Sequence, residues 1–371
     1  MERFDGRETM QNVLVTGGTG FIGSNFVRYL LRSDSQLRVT NLDTLTYSGS
    51  LENLQELPNP DHYTFVKGDI CDADLVRRLL REHAIDTIVH FAAETHVDRS
   101  ILVPGQFVQA NIVGTFTLLD AARQVWLKDT SINKEVIRFH HISTDEVFGS
   151  LAADEPPWDE AARYAPNSPY AASKAAADHL VRAYGHTYGL PYTLTNCSNN
   201  YGPYQFPEKL VPLMIVNALD GKPLPIYGDG QQIRDWVYVE DHCEAIGLVL
   251  RHGRVGESYN VGGNCQLTNL EVVDALCDIL DELQPASPFN PHSKLKQYVA
   301  DRPGHDRRYA MNTAKINQEL GWQPAHDLRA GLLKTVRWYL EHPGWVETIR
   351  RQKDYQAWLE QNYTERLEGQ K

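Results

Sequence analysis

A chain of 371 residues with 42% hydrophobic and 23% charged composition predicts two domains that bury a core without a disulfide or metal staple. The 48 acidic residues outnumber the 36 basic ones, and the resulting formal charge of −12 opposes broad nucleic-acid binding, which rests on a basic excess. No apolar run reaches the roughly 18 residues of a membrane span, and five scattered cysteines without a C-x-x-C argue for reduced thiols in a cytoplasmic protein, against disulfides or zinc.

Residues 1–11 are charged and lack an apolar centre, so they are not read as a signal peptide. Residues 12–16 form a short apolar run, followed by a glycine cluster and helical spacing over 21–32. Residues 37–42 and 64–66 read as strands, 72–83 as a helix (Leu75, Val76, Leu79, Leu80) and 85–92 as a buried strand. Residues 107–128 are predicted helical, 136–142 a strand, 168–188 a long Ala-rich helix and 191–195 another strand. Strands alternating with helices of this length imply an α/β fold with a doubly wound parallel sheet. Beyond Asn199 the alternation is lost, and residues 200–239 read as short strand-like pieces among Pro and Gly. Residues 240–268 then look like a helix and strand returning to the sheet. The expected division is 12–199 with 240–268 as a dinucleotide-binding domain, and 200–239 with 269–345 as a smaller mixed α/β substrate domain. Residues 346–371 are expected to form an amphipathic surface helix.

The turn Thr16-Gly17-Gly18-Thr19-Gly20-Phe21-Ile22-Gly23 lies between the first strand and the first helix. Gly17 permits a tight turn, Gly20 lets the backbone approach a pyrophosphate, and Gly23 allows close helix–strand packing. The phosphates then meet the helix N-terminus. Asp43, at the end of the second strand, is placed to accept from the adenosine ribose hydroxyls and to repel a 2′-phosphate, which selects NAD over NADP. Asp69 and Ile70 are placed for adenine, and Phe91-Ala92-Ala93 ends a strand with small residues suited to a close cofactor.

Tyr170 and Lys174 sit i,i+4 on one face of a predicted helix, with Cβ atoms about 5–6 Å apart. A nearby ammonium favours phenolate, so the tyrosine is expected below its usual pKa of about 10 and able to take a hydroxyl proton as hydride leaves. Lys174 is also expected to hold the nicotinamide ribose. Thr144-Asp145-Glu146 ends a predicted strand at the ligand-binding edge of the sheet. Thr144 suffices for dehydrogenation; two adjacent carboxyls exceed that need, and acids with separated pKa values can do acid and base work together. The histidines show no metal-ligand spacing, and no metal is inferred. His140 and His141 read as strand residues.

The glycine turn with Tyr170-Ala171-Ala172-Ser173-Lys174 resembles the extended short-chain dehydrogenase/reductase family. Longer segments narrow the resemblance to the dTDP-glucose 4,6-dehydratases: Asp43-Thr44-Leu45-Thr46-Tyr47, Ala92-Ala93-Glu94-Thr95-His96-Val97-Asp98-Arg99-Ser100, Asn196-Cys197-Ser198-Asn199-Asn200-Tyr201-Gly202-Pro203, Pro207-Glu208-Lys209-Leu210, Arg234-Asp235-Trp236 and the run from Asp301 to Tyr309. It spans residues 12–345. Thr95 stands where a serine is common, and Ala110 where a threonine is expected near the cofactor. The resemblance implies a Rossmann-type fold and adds Thr44, Leu45 and Thr46 to the cofactor site. It also implies a homodimer paired through helices 107–123 and 168–188. Tyr170, with Thr144 and Lys174, would oxidise sugar carbon 4; Glu146 would take the proton from carbon 5, and a neutral Asp145 would protonate the hydroxyl leaving carbon 6. Thr95, Thr144, Asn199, Glu208, Lys209, Leu210, Pro225, Tyr227, Arg234, Asn269, Arg302 and His305 would hold the nucleotide-diphosphate sugar, with the two arginines gripping phosphate through planar forks.

Other members of the family fit less well. A 4-epimerase needs no carboxyl pair, and a decarboxylase substrate would set its own carboxylate against Asp145. A GDP-mannose dehydratase usually carries a smaller hydroxyl residue at that position. A catalytically silent sensor would not need Thr144, Tyr170 and Lys174 together. Thymine and uracil share one hydrogen-bonding edge, so both dTDP- and UDP-glucose stay open.

Overall fold

The computed structural model describes residues 10–129, 132–352, 355–357 and 360. The chain opens with β1 (Asn12–Thr16), α1 (Phe21–Ser33), β2 (Arg38–Asp43), β3 (Tyr63–Lys67), α2 (Ala73–Glu82) and β4 (Thr87–His90). After the short helix α3 (Val97–Leu102), a continuous helical stretch runs from α4 (Pro104–Phe107) through π-wound residues into α5 (Thr115–Ala122) and on to Leu127. β5 (Arg138–Thr144), α6 (Pro169–Tyr188) and β6 (Tyr192–Cys197) follow. α6 has a defined start and stop: the Ser168 hydroxyl accepts from the Ala171 N–H, Pro169 occupies the first turn, and Gly189 ends the helix at φ +69°.

The second half contributes β7 (Asn199–Tyr201), α7 (Leu210–Leu219), β8 (Leu224–Tyr227), β9 (Ile233–Tyr238), α8 (Val239–His252) and β10 (Ser258–Val261). Then come β11 (Gln266–Thr268), α9 (Asn269–Leu283), β12 (Lys296–Val299), α10 (Ala314–Leu320), α11 (Leu328–Glu341) and α12 (Pro343–Arg350).

Seven parallel strands form the central sheet in the order β10-β6-β5-β4-β1-β2-β3, so the chain reverses direction across the sheet between β1 and β4. Ligands bind at the carboxyl ends flanking such a reversal. Strand alternation divides the core. Val13 and Val15 of β1 pack with Phe26, Leu30 and Ile246 under α1 and α8, whereas Leu14 packs with Leu118, Trp126 and Val181 under α5 and α6. Both faces are covered, which is why β5 is buried at every residue rather than alternating.

A second core gathers α7, α9, α11 and α12 around Met214, Trp236, Leu276, Val336, Tyr339 and Trp345. Two small sheets, β11-β9-β7 and β12-β8, edge it. Here the sequence expectation needs one correction. α7 lies where only strand-like pieces were expected: its LVPLMIVNAL run is buried on nearly all sides, so it carries no polar stripe to reveal a helical period. The expected amphipathic tail helix begins as α12: Trp345, Val346 and Ile349 pack into the second core while Glu347 and Thr348 are exposed, and Tyr355 beyond it is buried there too. The rest of that tail, 353–354, 358–359 and 361–371, lies outside the described residues.

Candidate active site

At the carboxyl ends of β1, β4, β5 and β6 lies a cavity of about 760 Å³. The glycine turn forms one wall. Gly17 adopts φ +72°, and a Cβ there would come within 2.6 Å of the Ala92 nitrogen; one at Gly23 would meet the Gly17 carbonyl oxygen at 2.3 Å. Both glycines are therefore demanded by backbone packing. At Gly20 the nearest heavy atom to such a Cβ is the Gly17 oxygen at 3.3 Å. Gly20 caps α1 without any side-chain hydrogen bond, so no capping side chain occupies the first-turn N–H groups of Phe21, Ile22 and Gly23, residues that line the cavity. That arrangement fits a pyrophosphate. Asp43 lines the same wall. Its carboxylate accepts from the Thr19 N–H at 3.0 Å and the Leu45 N–H at 2.9 Å, which fixes its orientation and leaves lone pairs for a ribose. Thr44, Thr46, Asp69, Ile70, Phe91, Ala92 and Ala93 also line the cavity. Leu45 does not; it takes φ +58° in the turn that follows β2.

The opposite wall carries Thr144, Asp145, Glu146, Tyr170 and Lys174 together. β5 ends at Thr144, whose hydroxyl accepts from the Glu146 N–H at 3.3 Å and lies 3.3 Å from Asp145 Oδ1. Asp145 is 2% exposed. Burial first, then the Glu146 charge, holds its carboxyl well above the usual range, which favours the neutral form. Burial also raises Glu146, against the opposing pull of Arg302 and Arg234. The two acids therefore differ in environment.

Tyr170 departs from expectation. Burial and then the Glu146 carboxylate hold it well above the ordinary phenol range rather than below it. The Lys174 ammonium is engaged elsewhere. Lys174 Nζ donates to the Ile142 carbonyl at 2.7 Å, and its charge is shared with Asp178 one turn on. Asp178 in turn accepts from Ser143 Oγ at 2.7 Å and the Tyr164 hydroxyl at 2.9 Å, and lies 3.2 Å from His141 Nε2. His141 is thus a strand residue tied to the lysine's surroundings. His140 is a satisfied core histidine, with Thr193 and Thr195 hydroxyls on its two nitrogens.

Of the expected substrate residues, Thr95, Asn199, Glu208, Lys209 and Leu210 line the cavity, whereas Pro225, Tyr227, Arg234, Asn269, Arg302 and His305 do not. Four of these gather beside it. Arg302 pairs with Asp98 at 3.2 Å, and the Tyr227 hydroxyl donates to the other Asp98 oxygen at 3.4 Å. His305 sets its ring edge-on to Tyr227. Arg234 stacks over Tyr309, 4.2 Å from the ring centroid, and donates to the carbonyls of Ile233 and Asp306. Both arginines lie close enough to pull on Glu146. Asn269 begins α9 and donates its N–H to the Gln232 carbonyl; Pro225 is buried in β8.

Several lining residues were not read from the sequence, among them Tyr47, Glu94, Arg99, Gln205, Phe206 and Trp236. Tyr47 and Arg99 fall inside segments already singled out, but lone aromatic and basic residues in loops carry no periodic signal. Asn111 accepts from the Glu94 N–H and donates to the Glu94 carbonyl and to Ser173 Oγ, tying the loop after β4 to α6. Among the described residues no group of three or more His, Cys, Asp or Glu could hold a metal ion, and no helix is long and apolar enough to cross a membrane.

A family model described as GDP-mannose 4,6 dehydratase matches residues 14–335. A dTDP-glucose 4,6-dehydratase of Xanthomonas campestris pv. campestris is 55% identical over 340 residues, 92% of this chain and 96% of the relative. One from Shigella flexneri is 52% identical over 359 residues, 95% of this chain and 98% of the relative. Among solved structures, a dTDP-glucose 4,6-dehydratase of Streptomyces venezuelae with NAD bound superposes with a TM-score of 0.83 at 47% identity, covering 91% of this chain and 100% of that one. The chain belongs to the dTDP-glucose 4,6-dehydratase family.

Proposed function

We propose that this enzyme converts dTDP-glucose to dTDP-4-keto-6-deoxyglucose with NAD. The observation that carries the reading is the joint placement of Asp145, Glu146, Thr144, Tyr170 and Lys174 on one wall of a cavity whose other wall is a dinucleotide-type glycine turn. NAD, when bound, accepts the hydride from carbon 4 and returns it to carbon 6. Phe21, Ile22 and Gly23 hold its diphosphate, Asp43 its ribose, and Lys174 orients the reacting end. Tyr170 removes the proton of the carbon-4 hydroxyl, with Thr144 sharing the hydrogen bond. The resulting ketone acidifies carbon 5, and Glu146 takes that proton. Asp145, neutral before the step, gives its proton to the hydroxyl leaving carbon 6 as water, and carbon 5 is reprotonated from Glu146 as the hydride reaches carbon 6. Lys209, Arg234 and Arg302 oppose the diphosphate charge, with Tyr227 and His305 beside them. The same reading assigns residues 12–199 and 240–268 to NAD, and 200–239 and 269–345 to the sugar nucleotide.

With dTDP-glucose deuterated at carbon 4, the label should appear at carbon 6 of the same product molecule. Stoichiometric release of reduced cofactor would refute the dehydratase reading and leave a simple dehydrogenase. Parallel assays with UDP-glucose test the choice of base.

The reading includes a cytoplasmic homodimer. All five cysteines are free thiols, which suits a reducing compartment. Leu102, Val108 and Phe116 are 53%, 49% and 47% exposed along the 97–122 helices, and Tyr188 at the end of α6 is 49% exposed. Such a band is what a paired helical face presents. Phe116→Glu is expected to shift the protein to monomer in light scattering; a wild-type protein that is itself monomeric would refute the dimer.

A further inference from the structure

Tyr47 and Arg99 are not used by the chemistry above, yet they meet Glu208 across the cleft. Tyr47 follows β2, Arg99 lies in α3 and Glu208 precedes α7, so three segments distant in sequence converge. The Arg99 guanidinium lies over the Tyr47 ring, 3.8 Å from its centroid, and its Nε donates to Glu208 Oε2 at 3.3 Å. The Tyr47 hydroxyl donates to the other Glu208 oxygen at 3.1 Å. The same ring meets Phe206 edge-on at 5.6 Å and packs against the second core. Nearby, Lys209 Nζ donates to the Thr95 carbonyl at 3.0 Å, a second tie across the cleft.

We propose that Tyr47, Arg99 and Glu208 form a clasp that retains bound NAD between turnovers. The proposal rests on the NAD reading of this cavity. Residues 44–49 continue directly from Asp43, and Thr44, Thr46, Ser48 and Gly49 line the cavity with Tyr47. The segment's far end is tied to the glycine turn, where the Ser50 N–H donates to the Thr19 carbonyl at 3.1 Å. Its middle is held by Tyr47 to the other half of the molecule. A cofactor resting on this segment leaves when the segment lifts. Lifting breaks the cation–ring contact and the tyrosine–carboxylate hydrogen bond together, and strips a partner from Glu208, whose side chain is 2% exposed. Desolvated contacts of these kinds are stronger than exposed ones. A reaction that restores its cofactor in every cycle gains from slow exchange, because no fresh NAD is needed.

The test measures the rate at which purified holoenzyme releases NAD, by chasing with excess isotopically labelled NAD and quantifying bound nucleotide after denaturation. Tyr47→Leu, which removes ring and hydroxyl, is expected to speed release by about 10-fold or more. Arg99→Lys keeps the charge but loses the planar stack, so it should approach the same rate. Tyr47→Phe keeps the stack and loses one hydrogen bond, and should fall between. Arg99→Lys and Tyr47→Phe carry the test if Tyr47→Leu does not fold. Wild-type release rates in both would overturn the clasp, as would a raised KM for the sugar nucleotide with unchanged NAD release. A wild-type protein that neither carries nor binds NAD would overturn the cofactor reading itself, and the clasp with it.

Discussion

Tyr170→Phe is expected to lower the rate of sugar oxidation by about 10²–10⁴-fold, the usual cost of deleting a positioned base. Every later step depends on the ketone, so product formation should fall by the same factor. The readout is absorbance of reduced nicotinamide in a single turnover with dTDP-glucose. The sign of the pH dependence follows from the site. Tyr170 is held above the ordinary phenol range by burial and then by the Glu146 charge, so phenolate is the minor form at neutral pH. Oxidation should accelerate as pH rises toward that pKa. Glu146→Gln removes the neighbouring negative charge and should move this limb to lower pH. The neighbours that act on the phenol are Glu146 and Asp145, Cys197 of β6 and the Thr144 hydroxyl. If Tyr170→Phe oxidised the sugar at the wild-type rate, the base would have to be another group.

The parts of this site that the sequence announced are those whose chemistry needs fixed spacing along one element. Gly17 and Gly23 face backbone atoms that exclude a Cβ, so the turn can be read without coordinates. Tyr170 and Lys174 share a helix face for the same kind of reason. Asp145 and Glu146 are adjacent, and their shared wall with Tyr170 follows once β5 and α6 are placed. What escaped was set by tertiary contact. The direction of the Tyr170 shift is set first by burial and then by the Glu146 charge, and the depth of burial of one tyrosine has no sequence signal. α7 escaped because burial on nearly all sides erases helical periodicity. The clasp residues Tyr47, Arg99 and Glu208 come from three segments, and no local pattern relates them.

Glu146→Gln and Asp145→Asn should separate the two half-reactions. Both leave Tyr170, Thr144 and Lys174 in place, so oxidation at carbon 4 should persist in each. Elimination should slow by about 10²–10⁴-fold, or roughly 3–5 kcal/mol of barrier, because each variant lacks one proton-transfer group. Asp145→Asn keeps the shape of a protonated carboxyl but has no acidic proton to give. Asp145 is buried beside Glu146 with its carboxyl pushed toward the neutral form, so this substitution should disturb the local charge little, and the effect should be chemical rather than structural. Glu146→Gln removes the group proposed to act as the carbon base. Both variants should accumulate reduced nicotinamide in single-turnover experiments, where the wild-type enzyme passes quickly to product. Solvent deuterium distinguishes them: its entry at carbon 5 should be slower in Glu146→Gln than in Asp145→Asn, because Asp145→Asn retains the group that removes the carbon-5 proton. Equal exchange in both would mean that a different group serves carbon 5. Full dehydratase activity in both would reduce Asp145-Glu146 to a buried polar turn, and elimination would need another acid and base.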